Sequence, residues 1–170
     1  QSLSPDSDHK ARQLADGIKH MKFVVRLYEK QVQAGRLFIH ENPAHAKSWA
    51  PPCINKMARE AGVHIVDADQ CMFGLKTWAE KRLKLVPAKQ PTIFMTNSRA
   101  IAKELGRRCA GLHAHQPLLD GRAKSAARYP GGLCKAMCRG LAKEKMQQTL
   151  HMIAVMEVGD GAHRRNVDLE

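Results

Sequence analysis

The chain has 170 residues, about one domain of sequence, with 44% hydrophobic and 26% charged residues, proportions that exclude a disordered or fibrous protein. Lysine and arginine outnumber aspartate and glutamate 28 to 16, and the formal net charge of +12 favours a polyanionic partner, nucleic acid first. No apolar run reaches the roughly 18 residues of a bilayer span, so no membrane partner is expected, and five scattered cysteines argue for a reducing, intracellular compartment over a disulfide framework.

In chain order, residues 1–9 are expected to be a disordered lead-in, polar and without an initiator methionine, as if cut from something longer. From 10 to 34, Leu14, Ile18, Met21, Val25, Tyr28 and Val32 recur at intervals of three and four, the stripe of a long amphipathic helix, and Gly35 supplies its stop. A short buried strand over 37–40 should follow and deliver Glu41-Asn42-Pro43 into a loop. The carboxyl ends of strands in open α/β sheets are where ligands and reacting groups gather, which makes this acid and amide a candidate site. A strand that simply ends in polar residues would look the same.

Ser48-Trp49-Ala50-Pro51-Pro52 reads as a helix start, with Gly62 as the stop. The next strand is expected over 63–66, ending in Asp67-Ala68-Asp69-Gln70. Helix, strand, helix, strand in succession implies parallel strands joined by crossovers. A turn or basic hairpin over 78–89 leads to a third strand over 91–96, and Asn97-Ser98 can cap the helix behind it. Residues 106–128 read as a long basic loop, a length that is usually functional or tied down. Tyr129-Pro130 then opens C-terminal helices whose apolar positions include Leu133, Met137, Leu141, Leu150, Ile153 and Met156. The expected organisation is therefore a single α/β domain over 10–156 with a polar tail over 157–170.

Two groups of residues could carry chemistry. Cys109-x3-His113-x-His115, followed by Cys134-x3-Cys138, is the most metal-like pattern, since zinc accepts thiolates and imidazoles and could staple the long loop. The alternative is that the cysteines pack in the core and the histidines face solvent. Lys84, Lys89, Arg107, Arg108, Arg122, Lys124 and Arg128 cluster in the loops and could form a phosphate-contacting face, or a merely solvated one. There is no glycine-rich phosphate loop, no GxSxG elbow and no HExxH.

In order along the chain, AGRLFIHENP, SW, DQCMFG, QPTIFMTN and YPGGLC together resemble the latter part of a cytosine-5 DNA methyltransferase domain. They are closest to the divergent methyltransferase-like segments of copia-type retrotransposon polyproteins. The resemblance spans about residues 14–141 and implies a partial Rossmann-like sheet of about three strands, flanked by helices. It implies that Glu41 stands where the family's acid contacts a flipped cytosine, that Asn42 supports its loop, and that the basic segment ending at Lys89 faces DNA. The family's nucleophilic cysteine loop and its glycine-rich S-adenosylmethionine turn are missing here. The cofactor is therefore expected only for a complete parent domain, and this chain is expected not to methylate. A half sheet would also leave an exposed edge and favour self-association.

Overall fold

The computed structural model describes residues 5–79, 84–118 and 128–167, with side chains over 8–79, 84–118 and 128–156. In chain order the described elements are α1 (Pro5–Gln33), β1 (Ile39–Pro43), a 3-10 turn (Lys47–Trp49) and α2 (Pro52–Ala58). They continue with β2 (His64–Asp69), a second 3-10 turn (Gln70–Phe73), β3 (Lys76–Trp78), β4 (Leu85–Pro87), β5 (Pro91–Thr96), α3 (Arg99–Leu105) and α4 (Gly131–Val167).

The helices lie in two layers on a small central sheet, and alternation along β5 shows why. Successive side chains on a strand point to opposite faces. Phe94 joins Ala68, Phe73, Ile101, Leu105, Leu133 and Ala136 beneath α3 and α4. Its neighbour Met95 joins Val25, Phe38, Ile54 and Met57 beneath α1 and α2. Both are fully buried, as expected of a central strand covered on both sides.

The mixed α/β class agrees with the sequence, but the strand directions do not. The three-stranded sheet has the order β1-β5-β2, and β5 runs antiparallel to both neighbours. β1 and β2 thus point the same way, yet they never pair. The reason lies between β2 and β5. A parallel neighbour needs a crossover of a dozen or more residues, usually helical. The described residues there form only a 3-10 turn and the two-stranded β3–β4 hairpin, so the chain returns antiparallel. That hairpin is the one expected over 78–89, placed slightly earlier.

A second correction concerns Glu41-Asn42-Pro43, expected in a loop. These residues belong to β1 and pair in register with Phe94, Ile93 and Thr92 of β5. Pro43 is tolerated because β1 is an edge strand, where a missing N–H need not break a ladder bond. β1 and β2 are the two outer strands of the sheet.

The helix ends follow local chemistry. After α1, the Arg36 N–H donates to the Gln31 carbonyl at 2.8 Å and Gly35 adopts φ 64°, a left-handed cap that glycine takes without steric cost. α3 is capped by Ser98, whose Oγ accepts the Ile101 N–H at 3.1 Å. Glu144 of α4 reinforces that cap, accepting from Ser98 Oγ at 2.6 Å and from the Ala100 N–H at 3.2 Å. α4 is one continuous helix that runs through most of the expected polar tail. It lies so close to its neighbours that a Cβ on Gly140 would stand 2.6 Å from Ile101 Cα, and one on Gly132 would stand 2.2 Å from the Phe73 carbonyl oxygen. No described helix is long and apolar enough to cross a membrane.

Candidate metal centre

The loop after α3 is pinned at two points. The Asp69 N–H donates to the Arg107 carbonyl at 2.9 Å, so the loop leaves along the end of β2, and the Gln116 N–H donates to the Pro87 carbonyl at 2.9 Å, which ties it to β4. Between the two pins the chain turns through Gly111, at φ 79°. This turn folds His113 and His115 back onto Cys109, with the Nε2 atoms 3.6 and 3.5 Å from its Sγ.

A fourth group arrives from the opposite side. Cys71 sits in the 3-10 turn that follows β2, closed by Gly74 in the left-handed conformation. The ligand atoms of Cys71, Cys109, His113 and His115 all lie within 4.8 Å of one another. With Zn–S near 2.3 Å and Zn–N near 2.05 Å, a tetrahedral site has S···N edges of about 3.6 Å, the separations found between Cys109 and the two histidines. The four side chains are half-buried, and the donor set of two sulfurs and two imidazoles is the one that soft tetrahedral chemistry selects.

The surroundings fit the same chemistry. The Gly111 N–H points at Cys109 Sγ from 3.3 Å, a donor suited to a thiolate. Burial pushes the His115 pKa down, helped by His113 and Lys89, the direction that favours a neutral, ligating imidazole. The Cys71 thiol is pushed up to about 11 by burial, by its hydrogen bond and charge interaction with Cys109, and by Asp69. Two thiolates cannot stand together here unaided, and a divalent cation between them reverses that penalty.

Of the metal ligands expected from sequence, Cys109, His113 and His115 are brought together. Cys134 and Cys138 are not, and Cys71 takes the place they were to fill. The buried face of α4 is set by Leu133, Ala136 and Gly140, spaced by three and four. Cys134 and Cys138 fall off that stripe and are exposed. The packing alternative fails in the same way, with the cysteines of α4 in solvent and the histidines half-buried. No spacing rule links residue 71 to residue 109. The only local signal was a cysteine directly beyond the strand end Asp67-Ala68-Asp69-Gln70.

Glu41 and Asn42 are occupied in structural contacts. Glu41 Oε2 accepts the Tyr129 hydroxyl at 2.7 Å, which ties β1 to the chain just ahead of α4. Burial and this carboxylate push the Tyr129 pKa up to about 12. Asn42 Nδ2 donates to His40 Nε2 at 3.0 Å, and His40 Nδ1 meets the Tyr28 hydroxyl at 2.9 Å. His40 is buried, and that burial pushes its pKa down, so the ring is the neutral hub of a packed cluster with Tyr28 and Trp49.

The basic residues divide. Lys84, Lys89 and Arg128 are exposed, while Arg122 and Lys124 lie outside the described residues. Arg108 is engaged by Asp69 at 3.1 Å and Asp67 at 3.6 Å. Arg107 pairs with Glu104 at 3.1 Å, in a network that also includes Arg139 and Lys143 of α4. Lys143 and Arg139 hold the Glu104 carboxyl down at about 2, against an ordinary value of 4.5. A depressed folded-state pKa stabilises the fold above the ordinary value, and that contribution is lost as pH falls toward about 2. Glu104→Gln should therefore melt below the wild type near neutral pH, and the gap should close in acid. A gap independent of pH in thermal melts would rule this network out as the cause.

In comparisons with known proteins, no family model, no curated protein and no solved structure matches the chain.

Proposed function

We propose that this chain is a zinc-stapled, non-catalytic module that associates with nucleic acid. The observation that carries the reading is the convergence of Cys71, Cys109, His113 and His115, from two separate stretches of sequence, with their ligand atoms within 4.8 Å of one another. Four protein ligands complete a tetrahedral shell and leave no position for a substrate or an activated water, which marks a structural centre. Bound there, zinc would cross-link the turn after β2 to the loop after α3. Its uptake would require two deprotonated thiols, and affinity would fall in acid.

The nucleic-acid part of the reading rests on the net charge of +12 and on the exposed Lys84, Lys89 and Arg128. The motif order that resembles copia-type methyltransferase-like segments supports an origin in such an element, with DNA as the expected polyanion. Under this reading Glu41 and Asn42 serve packing, and no S-adenosylmethionine chemistry belongs to this chain.

Elemental analysis of the purified folded chain should find one zinc per polypeptide, and folded protein without stoichiometric zinc would sink the metal reading. DNA affinity should fall steeply as salt rises, because each neutralised phosphate releases counterion. An affinity indifferent to salt would remove nucleic acid as the partner and leave the metal centre standing.

A further inference from the structure

β2 is an outer strand of the three-stranded sheet, and its pairing shows which of its backbone groups point outward. The Gln70 N–H donates inward, to the Gln90 carbonyl at 3.1 Å, whereas the Asp69 N–H turns outward, to the Arg107 carbonyl at 2.9 Å. Pro91, which has no N–H to offer, stands opposite Asp69. Backbone direction alternates along a paired strand, so the N–H and C=O groups of Ile65 and Asp67 face outward too. The loop after α3 covers the edge at Asp69, and no backbone group among the described residues bonds these four groups ahead of it. An open groove of about 710 Å³ runs here between β2 and α3. His64, Ile65 and Val66 line one side, and Arg99, Ala102 and Lys103 line the other. Arg99 and Lys103 are exposed and take no part in the ion pairs that engage Arg107, Arg108, Arg139 and Lys143.

We propose that this groove takes an extended, acidic segment of a partner protein as a fourth strand, laid along the outer edge of β2. The edge offers donors and acceptors spaced by two residues, about 6.8 Å, which another extended peptide matches. A nucleic-acid backbone presents phosphate acceptors and has no N–H for the carbonyls of Ile65 and Asp67. The sign of charge comes from α3. Arg99 and Lys103 lie one helical turn apart on the wall of the groove, where carboxylates on an added strand would meet them. The acid on the edge itself, Asp67, is already paired with Arg108 at 3.6 Å. A second copy docked through its own β2 would bring two such basic walls together, and like charges oppose that. Ile65, 45% exposed, adds apolar surface that a covering strand would bury. None of the four metal ligands lines the groove, so the inference stands apart from the metal reading.

Amide exchange and chemical shifts of the full 15N-labelled chain test this. In the free chain the amides of Ile65 and Asp67 should exchange rapidly, while those of Val66 and Ala68, which face β5, stay protected. The probe is a short capped peptide alternating threonine with glutamate, set against the same peptide with lysine for glutamate. The glutamate peptide should shift and protect the Ile65 and Asp67 amides saturably, and the lysine peptide should bind about tenfold more weakly. Arg99→Glu combined with Lys103→Glu should invert that preference. Ile65→Pro removes one outward N–H without touching the ladder to β5 and should abolish the shifts. If Ile65→Pro does not fold, the charge reversal decides. Protection of the Ile65 and Asp67 amides in the dilute free chain would show the edge already covered by the chain itself and overturn the proposal. Protection that appears only as concentration rises would assign the edge to a second copy and overturn it equally. So would no response to the glutamate peptide, equal responses to both peptides, or shifts at these amides with a DNA duplex alone.

Discussion

Cys109→Ser is expected to lose stoichiometric zinc and to melt about 5–10 °C below the zinc-loaded wild type. The magnitude follows from linkage. A ligand held at about a hundred times its dissociation constant, and bound only by the folded state, stabilises by about 2.7 kcal/mol. A chain of this size shifts by about 2–4 °C per kcal/mol. Cys109 is the ligand to remove because it occupies the middle of the site. It contacts both histidines, accepts the Gly111 N–H on its sulfur and donates its own amide to Asp69. Chelation of the wild type should reproduce the shift, and the variant should not respond to chelator. The three-layer core does not depend on the centre, since neither core cluster includes Cys109, His113 or His115. Circular dichroism of the variant should therefore keep its helical signal, and global unfolding on zinc removal would contradict a local staple.

Gly140→Ala should cost about 3 kcal/mol, the upper part of the range for overpacking a filled site. The added Cβ would meet the Ile101 Cα at 2.6 Å, its Cγ1 at 3.0 Å and its N at 3.1 Å. Two of these are backbone atoms, so a rotamer change cannot relieve the clash, and α4 must lift from α3. Gly132→Ala should be comparably disruptive, because its Cβ would lie 2.2 Å from the Phe73 carbonyl oxygen. The two variants should differ in zinc binding. Phe73 shares its 3-10 turn with Cys71, so lifting α4 at Gly132 disturbs the metal centre, whereas Gly140 packs on a helix that carries no ligand. Thermal melts and zinc titrations of both variants check this. Equal zinc affinities would show that the turn is held without help from α4.

The legible parts of this protein are those in which local physics acts over a few residues. The helical stripe from Leu14 to Val32, the left-handed glycine after α1 and the Ser98 cap were all readable from short windows. So was the strand Pro91–Thr96, which carries its alternation in sequence. Cys109, His113 and His115 could be grouped because they lie within one loop. The missing ligand, Cys71, is separated from them by an entire hairpin, a strand and a helix.

What the sequence determined by itself was the inventory: which segments are helical or extended, where glycines permit reversal, and which loop carries soft metal donors. Tertiary structure decided how those segments meet. It turned β5 back between β1 and β2, because the connection after β2 holds no helix with which to cross over among the described residues. That reversal made Glu41 and Asn42 part of an edge strand. It also set the end of β2 against the loop after α3, through the bond from the Asp69 N–H to the Arg107 carbonyl. Cys71 and Cys109 come into reach through that pairing and through the bond from the Cys109 N–H to Asp69 Oδ2. Spacing rules express what one turn or one loop can bring together, and this centre is assembled across a sheet edge.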